Sequence, residues 1–434
     1  MKFYRETEFQ ETEIGKIPKD WKTAKINELF ELYKGTTPST KIKSYWDGDI
    51  PFVTPTDITS TKSIYLIVTE KYLSKEGLQS KKLKLVPENS LLFTSRATIG
   101  YLAINRQKVA VNQGIIALIP RKSNVSYLFY YYYLLYKRKM LEELAGGSTY
   151  KEISMNIFSK VTVSLPPFEE QQRITDILST VDKTLVDVDE TISRLERLKK
   201  ALMGELLAGR IRVKEVDGKL TFYRETEFQE TEIGKIPKDW KTAKLKDVAE
   251  IRGNKKPTGN IKHVTFIPME AIPDNKIYTQ YEILDMHEVK SFVYCEPGDI
   301  LLAKITPSFE NGKQGIVPLE IPGNFALATT EVYPIKCKNI DAFYLFYLLK
   351  FSPNRNKLKS LMRGTTGRRR VPRDALEMLT VPIPPRNEQQ KIAEILSTFD
   401  RAIEFYRYER SKLEKLKNGL MSVLLTGKVR VRED

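Results

Sequence analysis

Three consecutive arginines, Arg368, Arg369 and Arg370, follow a glycine-bounded turn, Gly364-Thr365-Thr366-Gly367. A guanidinium is a planar fork of donors that matches guanine O6 and N7, and an Asn or Gln amide matches adenine N6 and N7. The same residue types grip phosphates, which take most contacts in such interfaces. Arg363 and Arg373 flank the run. Three other polar stretches of the second half have the same character: Arg252, Asn254, Lys255 and Lys256; Lys304, Thr306 and Ser308; and Asn311, Lys313 and Gln314. The first half offers Lys34, Thr36, Thr37, Ser39, Lys41 and Lys43; Thr54 and Thr56; Ser95 and Arg96; Asn112 and Gln113; and Ser148, Thr149, Tyr150 and Lys151. The chemistry these residues support is nucleic-acid recognition without covalent change. Simple solvation accounts for any one loop lysine, but less readily for three arginines after a Gly-rich turn.

Residue types for catalysis are missing. Every Gly-Lys pair is followed by Ile17, Leu220, Ile236, Gln314 or Val429, so no phosphate-binding P-loop is present. His263 and His287 are the only histidines, and with Cys295 and Cys337 they form no metal-ligand spacing. No Asn/Asp-Pro-Pro-Tyr/Phe element with a Gly-rich cofactor loop suggests base methylation. No Glu-x-Lys between Asp299 and Lys304 suggests a nuclease. The chain reads as non-enzymatic, with no cofactor or metal of its own.

Composition agrees with a polyanionic partner. The 434 residues carry 71 Lys and Arg against 55 Asp and Glu, a formal charge of +16. A lysine-rich solvated surface is the alternative. Hydrophobic content of 41% suits globular domains. Two cysteines cannot build a disulfide framework and point to buried thiols in a reducing compartment. The longest apolar stretch, Tyr127–Tyr136, is too short to span a membrane. The acidic start MKFYRETEFQE is unlike a secretory signal, so a cytoplasmic location is expected.

These loops must be held by something, and the chain repeats itself. Residues 3–25 read FYRETEFQETEIGKIPKDWKTAK, and residues 222–244 read the same, offset by 219. Leu165–Val213 and Ile383–Val431 share LPPFEEQQRITDILSTVD/IPPRNEQQKIAEILSTFD and LLAGRIRV/LLTGKVRV at an offset of 218. The middles diverge: Tyr150-Lys151-Glu152 aligns with Arg368-Arg369-Arg370, so two copies of one scaffold would read different bases. Two long copies predict a pseudo-two-fold molecule rather than a solenoid.

Between Phe168 and Leu207 apolar residues recur at Ile174, Leu178, Val181, Leu185, Val188, Ile192 and Leu195, then after a gap at Lys199 at Leu202 and Leu206. Alternating steps of 4 and 3 predict a coiled-coil seam. The second copy has Ile392, Leu396, Phe399, Ile403, Tyr406 and Leu413, interrupted by Arg410 and Lys417. Pro166-Pro167 and Pro384-Pro385 precede the helices, and Gly209 and Gly427 follow them. Each would run roughly 60 Å at 1.5 Å per residue. The connectivity makes the pair antiparallel, and the tail GKVRVRED should dock beside the first FYRETEF.

Each head alternates short strands with turns, as at Ile50–Val53, Ser90–Thr94, Val109–Ile119, Asp299–Ala303 and Glu331–Ile335. An aromatic helix follows, at Tyr127–Leu144 and Ala342–Met362, read as core rather than as a stacking platform. Val161–Leu165 and Leu379–Ile383 form last strands. The class is α+β, with two heads separated by an antiparallel coiled coil. The divisions are a first head at 1–165, a spacer helix at 166–208, a linker at 209–221, a second head at 222–382, a second spacer helix at 383–426 and a tail at 427–434.

The chain resembles type I restriction–modification specificity subunits along nearly its whole length. The residues that carry this are Gly15-Lys16-Ile17-Pro18-Lys19-Asp20-Trp21, Gly35-Thr36-Thr37-Pro38-Ser39, Tyr45-Trp46-Asp47-Gly48-Asp49-Ile50-Pro51-Phe52, Val111-Asn112-Gln113-Gly114, Glu170-Gln171-Gln172 and Ile177-Leu178-Ser179. The second head keeps Gly234–Trp240 and Glu388-Gln389-Gln390 but has Lys262-His263-Val264 in place of the Trp-Asp-Gly-Asp element. The resemblance implies two target-recognition domains, each reading a half-site of double-stranded DNA in the major groove. It implies helices that act as a ruler and dock two methyltransferase subunits. Those partners would bring S-adenosylmethionine, and restriction–translocase subunits would bring ATP and Mg. Two rivals stand beside it: a stand-alone DNA-binding regulator or architectural protein, and a fused restriction or modification enzyme.

Overall fold

The computed structural model describes residues 2–61, 63–146, 151–253, 255–259, 261–365 and 367–432. They form two units, Met1–Asp189 with Glu409–Asp434, and Glu190–Tyr408. Each unit holds one head, the start of the long helix leaving that head, and the end of the other long helix.

In the first unit a five-stranded sheet runs in the order Phe30–Lys34, Ile115–Pro120, Leu91–Thr94, Leu102–Asn105 and Tyr65–Leu66. Only its last pair is parallel. Both faces are covered, which explains strands with no polar alternation. Leu91, Phe93, Ile116 and Leu118 pack on the aromatic helix, and Leu92, Ile115 and Ala117 pack with Val53 and Val111 of a second, three-stranded sheet. The second unit repeats the plan. Its strands Ala249–Ile251, Val332–Cys337, Ile300–Ala303 and Gln314–Ile316 make one sheet, and Glu282–Asp285, His263–Ile267, Ala326–Ala328 and Val293–Cys295 the other. Ile300 and Leu302 face the aromatic helix, and Leu301 faces Ile267 and Ala328.

Some expected elements divide. Val109–Ile119 is two strands in different sheets, Ala110–Val111 and Ile115–Pro120. Asn112 breaks the run, its Oδ1 accepting from the Gly114 amide at 2.8 Å. Tyr127–Leu144 divides at Lys137, and Ala342–Met362 at Phe351, which is extended and caps a helix with Pro353 in its first turn. Their aromatic rings are core as expected: Phe129, Tyr130, Tyr132, Tyr344, Phe346 and Tyr347 are fully buried.

The long helices span Phe168–Leu207 and Arg386–Leu424. They run antiparallel within each unit. Asp182 pairs with Lys417 and Asp189 with Arg410 in the first, and Glu196 with Arg407 and Lys199 with Asp400 in the second. The three cations that interrupt the apolar seam thus have acidic partners on the facing helix. Ile174, Leu178, Ile192, Ile392, Leu396 and Ile403 are buried, while Val181, Leu185, Val188, Leu195, Phe399, Tyr406 and Leu413 are half-buried. Among the described residues no helix is long and apolar enough to cross a membrane.

The segment read as a linker is ordered. Ile211–Val216 pairs antiparallel with Lys219–Arg224 around Asp217 and Gly218, both at left-handed φ. In the other unit Lys2–Arg5 pairs with Val429–Arg432 in the matching register, Phe3 opposite Val431 as Phe222 is opposite Val213. The tail docks on the N-terminus, and the hairpin is the same device with its turn intact.

Gly209 and Gly427 end the helices at φ +67° and +70°. A Cβ there would lie 2.5 Å from Pro237 Cδ, or 2.4 Å from Pro18 Cγ. Gly209→Ala and Gly427→Ala should each destabilise their unit by at least about 1 kcal/mol from the backbone alone, with the clash adding to it. Thermal unfolding measures the loss.

Candidate nucleic-acid interface

Three duplicated devices fix each head to its helices. The first is a buried arginine. Arg430 donates to both carboxylate oxygens of Glu170 (2.6 and 2.7 Å), to both of Asp20 (2.9 and 2.7 Å) and to Glu6 (2.5 Å). Trp21 Nε1 donates to Glu170 at 2.9 Å. Arg212 makes the same set with Glu388, Asp239 and Glu225, and Trp240 Nε1 donates to Glu388 at 3.2 Å. All five guanidinium N–H groups are used in each case. The hydrogen bonds from Arg430 and Arg212 hold the Asp20 and Asp239 carboxyls below the usual range.

The second device uses the next glutamine. Gln171 Oε1 accepts from the Ser126 amide at 3.0 Å, and its Nε2 donates to Pro166 O at 2.9 Å. Gln389 does the same with Asp341 and Pro384 at 2.9 Å each. The third is a Tyr–Asp–Lys triad. Tyr132 and Lys417 both donate to Asp182, and Tyr347 and Lys199 to Asp400. Burial and then the aspartate push both phenols up, so they stay hydrogen-bond donors.

On these supports sit the loops. In the second head Arg363 and Arg370 bond each other through their backbones, and Ile305 bridges Arg370. Thr306 N donates to Arg369 O at 2.9 Å, and Val371 N to Lys304 O at 2.8 Å. Lys304, Thr306, Arg363, Arg369 and Arg370 are thereby gathered. Arg370 forks onto Glu331 (2.9 and 2.7 Å), and Arg369 donates to Glu310 at 3.1 Å. Lys304 lies 4.9 Å from the Tyr333 ring centroid, and burial draws its pKa down. Arg368 is exposed and Ser308 half-buried.

The first head shows the same backbone pattern. Arg96 and Gly146 each bridge Glu152, Ala97 N donates to Lys151 O, and Ile153 N donates to Ser95 O. Glu152 therefore occupies the bridge position of Arg370, with opposite charge. It pairs with Lys34, and Arg96 Nε lies 3.9 Å from it. Gly35 lies so tightly on Val111 that a Cβ would overlap its carbonyl, and this close approach brings Thr37 to Gln113. Thr37 bonds Gln113. Lys41, Lys43, Thr56 and Lys151 are exposed.

Several other candidates are engaged within their own head. Gln314 is fully buried, donating to Phe346 O at 2.7 Å and accepting from Arg355 at 2.7 Å. Ser95 is buried on Gly114 O. Arg252 is tied to Asp299 and Glu296. Lys313 donates to Met269 O, and Arg373 to Glu377 and Ile251 O. Thr54 caps Pro55–Ser60 together with Asp57. Ser39 O holds the Trp46 indole at 3.1 Å. Lys255 lies over Tyr294, and Lys256 is exposed. Ser148, Thr149, Tyr150, Asn254 and Thr366 lie outside the described residues. Chain spacing shows no ligand pattern at the histidines, yet the fold places ligand atoms of Asp285, His287 and Glu288 within 4.8 Å of one another, and His263 2.7 Å from Asp285.

The fold, with an α+β head and an antiparallel pair of helix segments in each unit, is similar to that of solved type I S subunits. The crystal structure of the type I restriction–modification S subunit from M. genitalium matches with TM-score 0.57 at 16% identity, covering 93% of this chain and 96% of that one. A chain from a structure concerned with complex assembly and conformational transition of the type I R-M system matches with TM-score 0.54 at 15% identity, covering 95% and 99%. By sequence, the MjaIX specificity subunit of Methanocaldococcus jannaschii is 29% identical over 446 residues, covering 100% of this chain and 99% of its own length. The MjaVIII subunit of the same organism is 26% identical, covering 100% and 98%. The type I restriction modification DNA specificity domain matches residues 18–197 and again 237–415. The chain therefore belongs to the type I restriction–modification DNA specificity family, with two copies of its domain.

Proposed function

We propose that each head reads one half of an asymmetric, bipartite site on double-stranded DNA. The long helices set the unread spacer and dock two methyltransferase subunits. The chain itself is non-catalytic; S-adenosylmethionine binds the methyltransferase partners, and ATP and Mg bind the restriction–translocase subunits. One observation carries the asymmetry: the same bridged backbone position is Glu152 in one head and Arg370 in the other. Identical supports beneath unlike loops suit equal partner docks with unequal base preferences. In the second head the interface is Lys304, Thr306, Ser308, Arg363 and Arg368–Arg370. In the first it is Lys34, Thr36, Thr37, Arg96, Asn112, Gln113 and Lys151.

Replacing Arg368, Arg369 and Arg370 together by alanine should relax preference at one half-site only. A bidentate arginine–guanine pair discriminates by about 1–3 kcal/mol, roughly fivefold to 150-fold in affinity. Half-site duplexes titrated with the assembled complex test this. Equal loss at both half-sites would refute the assignment of the loop to one head.

A further inference from the structure

In both heads several cations of the interface are already engaged by carboxylates of the same head. Arg370 forks onto Glu331, and Arg369 reaches Glu310. Lys34 pairs with Glu152, with Arg96 close to the same carboxylate. Glu331 is positioned rather than incidental: its carbonyl accepts from the Lys304 amide at 3.0 Å, and its own amide donates to Thr329 Oγ1 at 3.4 Å. The Glu331 and Glu310 side chains are 28% and 16% exposed, so each is reachable from solvent yet not free to swing away. The acidic role falls to different parts of the scaffold. In the first head it sits at the loop position itself, and in the second on two turns, that of Glu331 just before the strand Val332–Cys337 and that of Glu310. What the two heads share is the pairing.

A carboxylate presents two acceptors in a plane, as guanine does with O6 and N7. Arg370 engaged on Glu331 is therefore held in the geometry it needs for a base edge. At the same time its charge is cancelled toward any passing phosphate. Resting on the DNA-reading role given above, we propose that Glu331 and Glu310 in the second head, and Glu152 in the first, are specificity-determining guards. Each holds a DNA-contacting cation in an intramolecular ion pair that must be exchanged for a DNA acceptor, so sequence-independent phosphate binding is suppressed more than cognate reading.

The half-exposed setting suits exchange. Such pairs are weak enough to be displaced, and they suppress only what is weaker than themselves. Removing a guard should uncover a cation for phosphate, and each added phosphate contact steepens the salt dependence of binding by about 0.9 in log–log slope.

The test uses the full chain assembled with its methyltransferase partners, titrated against its own site and a scrambled duplex across salt. Glu331→Gln should tighten binding to the scrambled duplex about threefold to fivefold, within what an exposed ion pair supports. It should steepen the salt slope by about one, and the ratio of cognate to scrambled affinity should fall. Glu152→Gln should do the same through the first half-site, and melting temperatures confirm that both variants are folded. Scrambled-duplex affinity and salt slope equal to wild type in both variants would overturn the guards. Failure of the underlying reading looks different: the triple arginine variant would then bind every duplex as wild type does.

Discussion

Arg430→Ala should lower the stability of the first unit by about 3–5 kcal/mol, the range for removing one partner of a buried ion pair. The variant leaves Glu170 and Glu6, 5% and 12% exposed, without their cation, and Asp20 beside them. It also removes a tie on the strand Val429–Arg432, whose partner Lys2–Arg5 lies more than 400 residues away along the sequence rather than across a tight turn. Arg212→Ala removes the equivalent lock, but its strands remain joined through Asp217-Gly218. Arg430 should therefore be the more damaging site, and amide exchange should show the first strand opening in one variant while the hairpin persists in the other. The pH dependence has a defined sign. Asp20 and Asp239 titrate below their ordinary value because of the arginine. Their contribution is complete above the unfolded carboxylate pKa of about 3.9 and is lost as pH falls through the depressed native value. In Arg430→Ala the loss with acid at Asp20 should vanish, so the gap to wild type should narrow below about pH 4.

Much of this architecture is legible in the sequence, because a long helix with one apolar stripe advertises its period. The stripe even shows where it fails, at Lys199, Arg410 and Lys417. It does not show why, since Asp400, Asp189 and Asp182 are more than 200 residues away along the chain. The arginine locks are equally hidden. Arg212 and Arg430 stand in RIRV and KVRV, where strand alternation alone would send a charged side chain outward. The repeated Glu170 and Glu388 were the available signal, as paired identities awaiting a paired cause. Among the candidate loops, residue type could not separate side chains that reach solvent from those that tie the head together. Gln314 and Arg252 look as eligible as Arg368, yet Gln314 meets Arg355 inside the core and Arg252 meets Asp299. Burial decides between them, and burial is set by distant strands.

Inserting one heptad into each long helix, between Asp189 and Glu190 and between Tyr408 and Glu409, should lengthen the unread spacer by about three base pairs. Seven residues add roughly 10.5 Å at 1.5 Å per residue, and base pairs rise 3.4 Å. Seven is also the step that preserves the seam, whereas three or four residues shift its phase. The insertion points leave the cross-helix ion pairs whole: Asp182–Lys417 and Asp189–Arg410 lie on one side, Glu196–Arg407 and Lys199–Asp400 on the other. Both heads also keep their triads and arginine locks, so their base preferences should not change. The methylation pattern in cells carrying the complex would then show the original half-sites with a longer gap. A spacer unchanged by the insertion would mean that the helices do not set it. An insertion of four residues should instead abolish methylation at both spacings, because it alters length and phase together.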